Sequence, residues 1–479
     1  MDEERRAYER VRAAHLSAVR AALEDHVARL GWPRERIERH RAERLRALLG
    51  WARERSPFHA ARTGEVDPAT ATVDDLARLP VMTKREAQEE WDAIVTTPGL
   101  DRAGVERVLA RQRWFSYTPQ GYQVFSSGGS SGVRGVYLWD WAQFVTLACL
   151  AWRWQLRADR AGGTDGPARL AVLSAGGPPH ASTPLFAVGT AASTETVVIP
   201  AAAPFDDVLA AVADARPTAM VGYASVIGRL ARATLAGELD VRPLRVSTNS
   251  EPLTEEDRTA IGAAWGAPVH NLWGSTEIGV QAVGCGVGDG LHISDDEVIL
   301  ERVDADGRPV GPDEPAARTL ATGLAGRTFP FVRYDLGDEV TLLPGVCPCG
   351  SAMPRVAAVA GRRDDDLRYG GLLVPASAFR YVLGADPRIA EYQVHQTSGG
   401  ADVLVVGSPD LPAVTEALVE ALRPYGLPDA AITVRTVDRI PRNAATGKLS
   451  RFVPLRPAEG TRCGTIRRAH APPERVMEP

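Results

Sequence analysis

Between Arg169 and Trp265 the chain alternates short apolar runs with stretches of helical spacing, and no other feature narrows the fold as much. Apolar runs at residues 170–173, 197–199, 219–223 and 244–247 are separated by helical patterns at 205–215 and 225–236, and a further helix opens at Thr254 with Asp257 as its capping partner. Strands joined through crossover helices align in parallel, so this region predicts an α/β layer with a parallel sheet. Upstream, residues 5 to about 55 are dense in Ala, Leu, Arg and Glu with apolar positions three and four apart, broken near Gly31-Trp32-Pro33. That spacing predicts two helices forming a cap over residues 1–60. After Glu297 the texture changes to short β runs with turn residues, ending near Gly361 to Asp366, where a domain boundary is expected. Beyond it, a strand at 401–406, a helix at 413–422 and a strand at 431–437 predict a small α+β domain. The expected organisation is a large domain over residues 1–361, a small one over 362–455, and a disordered tail over 456–479, which is rich in Pro, Arg and Glu without periodicity.

A chain of 479 residues with 44% hydrophobic residues has ample interior for a large core. Its net charge of -5 is interspersed and offers no basic field for nucleic acid. The most apolar stretch, residues 136–152, is interrupted by Asp140 and Gln143 and is too short for a membrane span. The polar N-terminus does not match a signal peptide, and five cysteines suit a reducing compartment, so a cytoplasmic location is expected.

The segment Ser126-Ser127-Gly128-Gly129-Ser130-Ser131-Gly132-Val133-Arg134-Gly135 lies between an aromatic run and β-like residues. Glycines let backbone amides turn towards an anion, and serine hydroxyls donate to phosphate oxygens, so the segment reads as a polyphosphate cradle; a flexible linker is the alternative. It is not a P-loop, because no Gly-Lys-Ser/Thr follows at the required spacing, and no G-x-G-x-x-G opens a helix here.

This loop resembles the Thr/Ser-Gly-Thr-Thr-Gly signature of the adenylate-forming superfamily, which includes acyl-CoA synthetases, adenylation domains and luciferases. Asn271-Leu272-Trp273-Gly274-Ser275-Thr276-Glu277, Arg333-Tyr334-Asp335-Leu336-Gly337-Asp338, the hinge-like Gly361 to Asp366 and the loop Pro441 to Lys448 resemble further motifs of that family, in the same order. Leu79-Pro80-Val81-Met82-Thr83-Lys84, Ser250-Glu251-Pro252-Leu253, Gly290-Leu291-His292-Ile293 and Cys347-Pro348-Cys349-Gly350 are most similar to the phenylacetate-CoA ligase branch. The resemblance implies a large domain of mixed and parallel sheets with a distorted β-barrel, and a small mobile α+β domain.

The resemblance also implies roles. Ser127, Gly129, Ser130, Ser131 and Gly132 would hold the phosphates of ATP, Glu277 would bind Mg²⁺, and Thr276 would touch the α-phosphate. Trp273 stands where the family usually has Tyr and would stack on adenine, a core indole being the alternative. Ser250, Glu251, Pro252, Asn271, Gly274 and Ser275 would complete the nucleotide site, and Asp338 would accept the ribose hydroxyls. Arg362 would bridge nucleotide and hinge, with Asp364 as pivot. Lys448 would neutralise charge in the adenylation step. The family often has Lys after the last glycine of the phosphate loop, whereas Arg134 and Gly135 occur here.

His180 would wall the acyl pocket or take a proton from an amine acceptor, with an ordinary loop histidine as the alternative. Tyr137, Trp139, Gly222 and Tyr223 are further pocket candidates, and their aromatic content suits an aryl or arylalkyl acid. Cys285, His292, Cys347 and Cys349 supply three thiolates and one imidazole, enough for a structural Zn²⁺; buried free thiols are the other reading. The expected partners are a carboxylic acid, ATP, and coenzyme A or an amine, with a homodimer left open. A catalytically inactive nucleotide-binding protein is the remaining alternative.

Overall fold

The computed structural model describes residues 3–112, 117–118, 121–127, 135–163, 167–175, 180–189, 193–311, 314, 316–357, 365–374, 376–386, 388–442 and 449–455. The chain divides near residue 360 into two compact units.

The larger unit starts with helices α1 (Glu3–Arg29) and α2 (Arg34–Arg55). The break between them falls where Pro33, in extended conformation, ends one helix and starts the next. The strands that follow are β1 (Gln123–Ser127), β2 (Gly135–Trp139), β3 (Arg169–Ser174), β4 (Glu195–Pro200), β5 (Ala219–Tyr223), β6 (Arg245–Asn249), β7 (Val269–Ser275), β8 (Gly279–Val283) and β9 (Leu291–Ile293). They are succeeded by β10 (Val298–Val303), β11 (Arg318–Gly323), β12 (Tyr334–Asp335), β13 (Leu342–Leu343) and β14 (Arg355–Val356). The principal sheet has nine strands in the order β13-β14-β9-β8-β7-β6-β5-β3-β4. Neighbours from β4 to β7 are parallel, and those from β7 to β13 are antiparallel. The helices Phe205–Ala215 and Ala224–Leu235 supply crossovers between parallel strands, as the alternating pattern predicts. Where a distorted barrel is expected, β10, β11 and β12 pair as an antiparallel sheet, and β1 and β2 form a hairpin of their own.

The helix Trp141–Ala161 was not anticipated. Asp140 caps it by accepting a hydrogen bond from the Gln143 amide, and it is buried on almost every side, with Phe144, Leu147, Trp152 and Trp154 in one core cluster with Val19 and Leu23 of α1. On this helix Arg153, fully buried, donates to both oxygens of Asp296 at 2.8 and 2.9 Å. Asp296 is the centre of an acidic turn, Asp295-Asp296-Glu297, between β9 and β10, and all three side chains are buried. The cap supplies the remaining cations: Arg29 and Arg44 donate to Glu297 at 2.9 and 2.7 Å, while Arg34 and Arg41 reach Asp295. Burial alone would push the Asp296 carboxyl up, yet Arg153, His26 and Arg29 hold it down to about 2.

The smaller unit has its own core. A hairpin of β15 (Leu367–Tyr369) and β16 (Leu372–Val374) precedes a four-stranded sheet in the order β19-β18-β17-β20, from β17 (Ile389–Gln396), β18 (Gly400–Gly407), β19 (Ala431–Thr436) and β20 (Phe452–Val453). Phe379, Val394, Val403, Leu418 and Phe452 are the centre of its core. Among the described residues no helix is long and apolar enough to cross a membrane.

Removing one partner of a buried ion pair strands the other charge. Arg153→Ala is therefore expected to cost about 3–5 kcal/mol, read as a lower urea midpoint. Arg160→Ala, at the exposed pair with Glu24 on the same helix, should stay within about 1 kcal/mol; equal losses would refute the assignment.

Candidate active site

In an open α/β sheet the crevice at the carboxyl ends of the parallel strands is where ligands bind, because loops of opposite direction leave a gap there. The motif residues cluster at those ends. Tyr223 ends β5, Asn249 ends β6 with Ser250 directly after it, and Ser275 ends β7, from which Thr276 and Glu277 lead into a tight return to β8. Ser250 takes a left-handed φ of 64°, uncommon without glycine, while its hydroxyl donates to Asn249 Oδ1 at 2.8 Å. Glu251 Oε2 accepts from the amide of Ser225 at the start of the Ala224–Leu235 helix, at 3.1 Å, and from its hydroxyl. Asn271 Oδ1 accepts from Thr248 Oγ1 at 2.9 Å on the neighbouring strand.

The β7–β8 turn is tied down from inside. Ser275 Oγ accepts from the Ile278 amide at 3.2 Å and from Gln281 Nε2 at 2.8 Å, and Trp139 Nε1 donates to the Thr276 carbonyl at 3.0 Å. Gly274 belongs here because a Cβ would lie 2.7 Å from the Gly279 carbonyl oxygen. The Glu277 side chain is then engaged by two phenols: Tyr137 and Tyr334 both donate to Oε1, at 2.7 and 3.0 Å. Burial first, and then the Glu277 charge, push both phenols well above the ordinary tyrosine range, so they remain donors.

Tyr334 is placed by a strap. The Met82 amide donates to the Arg333 carbonyl and the Asp335 amide to the Met82 carbonyl, each at 2.9 Å. Arg333 itself adopts φ 52°, and its buried guanidinium donates to Glu301 at 3.0 Å and to the carbonyls of Leu79 and Gly307. The same strap carries Lys84, whose Nζ lies 3.3 Å from Ser127 Oγ at the start of the glycine-serine segment. A lysine reaching that segment was not foreseen in the sequence. The only signal for it is its place beside the Thr83 capping box that opens the Lys84–Glu89 helix.

Trp273 is buried against Ala282, Leu291, Ile293 and Val340, and its indole N–H donates to Asp338 Oδ2 at 2.8 Å. The Trp273 indole thus couples two sequence motifs through one hydrogen bond. Of the acyl-pocket candidates, Tyr137 engages Glu277, Tyr223 is fully buried with its phenol raised to about 12 by burial, and His180 is half-buried just before the Ser182–Phe186 helix. Gly222 lacks a side chain for a packing reason: a Cβ would lie 2.5 Å from the Leu173 carbonyl oxygen on β3. Pro252 follows Glu251 in the loop beyond β6. Gly129, Ser130, Ser131, Gly132, Arg134, Arg362, Asp364 and Lys448 lie outside the described residues.

A second cluster sits at the antiparallel end of the large sheet. The donor atoms of Cys285, His292, Cys347 and Cys349 all lie within 4.8 Å of one another. Cys285 Sγ is 3.7 Å from Cys347 Sγ, and Cys349 Sγ is 3.3 Å from His292 Nε2. His292 Nδ1 is 3.0 Å from the Met353 carbonyl, which selects the tautomer that leaves Nε2 as the donor to a cation. Burial works against ionising Cys285, but the His292 contact and the amides of Gly288 and Val287 bring its thiol below the ordinary value. Gly288 has to be glycine, since a Cβ would lie 2.6 Å from Cys347 Sγ. Three sulfurs and one imidazole nitrogen at this spacing fit a soft tetrahedral cation.

No protein-family model matches the chain. A phenylacetate-coenzyme A ligase of Thermus thermophilus is 32% identical over 154 residues, which is 30% of this chain and 34% of that protein. A phenylacetate-coenzyme A ligase of Pseudomonas putida is 30% identical over 155 residues, 32% of this chain and 35% of that protein. The chain thus spans about a third of the length of the curated relatives it matches. Among solved structures, 2-hydroxyisobutyryl-CoA ligase in its postadenylation state with R3-HIB-AMP superposes with a TM-score of 0.69, covering 89% of this chain and 91% of that chain at 17% identity. The same ligase with 2-HIB-AMP and CoA in its thioesterification state gives 0.58, covering 88% and 91% at 19% identity. The chain thus shares the fold of 2-hydroxyisobutyryl-CoA ligase over most of its length, and about a third of it is similar in sequence to phenylacetate-coenzyme A ligases.

Trp273→Phe keeps the ring in its cluster and deletes the indole N–H, leaving a buried carboxylate one donor short. A loss of about 1–3 kcal/mol in urea unfolding is expected, and no loss would show that the bond carries no weight.

Proposed function

We propose that this protein activates a carboxylic acid with MgATP as an acyl-adenylate and then transfers the acyl group to coenzyme A. In the first step a carboxylate oxygen bonds to the α-phosphorus, the α–β P–O bond breaks and pyrophosphate leaves. In the second the CoA sulfur bonds to the acyl carbon, AMP leaves and the thiol proton is given up to solvent. The observation that carries the reading is the network at the carboxyl ends of the parallel strands: Ser127 opens the phosphate segment with Lys84 beside it, Glu277 is held in place by two tyrosines, and Asp338 is joined to Trp273.

Glu277, a hard oxygen donor at the end of β7, fits Mg²⁺, which when bound offsets charge on the phosphates. Ser127 and Lys84 face the polyphosphate, Thr276 the α-phosphate and Asp338 the ribose. Lys448 provides the cation of the adenylation step, and Arg362 and Asp364 form the hinge between half-reactions. Tyr223 and His180 suit a pocket for an aromatic acid. The resemblance to phenylacetate-CoA ligases favours CoA as acceptor, and the tetrahedral cysteine-histidine set fits a structural Zn²⁺ that takes no part in the chemistry.

The test is exchange of labelled pyrophosphate into ATP with phenylacetate, benzoate and 2-hydroxyisobutyrate. An acid-dependent signal is expected, and Lys448→Ala and Glu277→Ala should each lower it by at least ~10²-fold. Undiminished exchange in both variants would overturn the mechanism. Adding CoA should give thioester; amide from an added amine, with no thioester, would move the acceptor to the amine class.

For the cluster, metal analysis of protein purified under reducing conditions should find one zinc per chain. Cys347→Ser with Cys349→Ser should lose it and lower Tm. A parent protein free of metal and indifferent to chelators would leave four ordinary buried thiol and imidazole groups.

A further inference from the structure

We infer that Tyr137 and Tyr334 are positioning residues that commit one oxygen of Glu277 to the protein and leave the other for the metal ion of the nucleotide. This rests on the reading of Glu277 given above. Three separate elements meet at the carboxylate: β2 brings Tyr137, β12 brings Tyr334, and the β7–β8 turn brings Glu277. Both phenols donate to the same oxygen, Oε1, at 2.7 and 3.0 Å, and among the described residues no donor reaches Oε2. Two hydroxyl donors occupy the two lone pairs of Oε1, so a cation meets this carboxylate at Oε2.

The clamp is stiff. Tyr137 and Tyr334 are 1% and 2% exposed, and both rings pack on Phe331, with centroids 6.1 and 5.0 Å away. Gly135 makes room for it, since a Cβ there would lie 2.3 Å from Tyr137 Oη. The Ser127 hydroxyl is also within hydrogen-bonding reach of Tyr137, so the clamp connects the start of the phosphate segment to the carboxylate. A carboxylate held at one oxygen by its surroundings cannot chelate through both, and its lone pairs are aimed before the cation arrives. Such outer contacts typically alter metal affinity or activity by about 10–100-fold when removed.

The test compares Tyr137→Phe, Tyr334→Phe and the double variant in the full-length protein. The primary readout needs no acid substrate: fluorescence of a methylanthraniloyl-ATP analogue is followed as Mg²⁺ is titrated. The Mg²⁺ midpoint should rise about 10-fold in each single variant and further in the double, while analogue affinity at saturating Mg²⁺ stays within a few-fold. Phe preserves the ring packed on Phe331; a urea midpoint checks folding, and should one variant fail to fold the other carries the test. Unchanged midpoints in the Phe variants, with Glu277→Gln raising its own, would overturn the clamp while sparing the proposed function. An unchanged midpoint in Glu277→Gln would overturn the metal role of Glu277 and the clamp with it, and pyrophosphate exchange by the parent would then decide the fate of the adenylation reading.

Discussion

Burying three consecutive carboxylates is unfavourable unless each finds a cation, and this requirement organises the larger unit. Asp295, Asp296 and Glu297 lie inside the protein, and their partners come from the two N-terminal helices and from Arg153. The helical cap is thereby part of the fold and not an appendage, because its arginines neutralise a turn that the sheet cannot neutralise itself. A hydrophobic replacement of such a cluster is often no less stable. What the charges add is direction: the guanidiniums of α1 and α2 pair with particular carboxylates of the turn and so set where these helices lie on the sheet.

The site shows the same economy of constraint. Positions that pack too closely for a side chain, such as Gly135, Gly222 and Gly274, surround the residues that carry polar groups. Ser250 and Arg333 adopt left-handed backbone and are held there by hydrogen bonds of their side chains. Trp273 and Asp338 form a pair through the core, so strand β7 and the loop that carries Asp338 are joined by one buried contact.

Much of the parallel sheet was legible. The helix at 205–215 and the strand at 219–223 have the predicted boundaries, because their periodicity is local and their termini are marked by Pro204 and by the left-handed Arg216. The helix Trp141–Ala161 was hidden because its buried positions include Gln143, Arg153, Gln155 and Asp159 beside the apolar ones, so its burial does not follow the hydrophobic pattern. Glu277 and Asp338 were reached only by resemblance. Tyr137 was singled out for a different role, since its link to Glu277 spans 140 positions and leaves no local trace. Lys84 lay in plain view within a motif, but nothing in its spacing says that it meets Ser127. Nothing local marks the acidic turn at 295–297 as buried, because the arginines that neutralise it lie far away in α1 and α2.

Neighbouring residues on the Trp141–Ala161 helix grip two adjoining features, the acidic turn and the cysteine-histidine cluster. Arg153 grips Asp296, the next residue, Trp154, lies over the His292 ring with centroids 4.6 Å apart, and Arg157 one turn on reaches the Cys349 carbonyl. Successive helical residues are separated by a rotation of about 100°. Inserting or deleting a single residue ahead of Arg153 would swing both grips off target together, so this helix should admit no change of length.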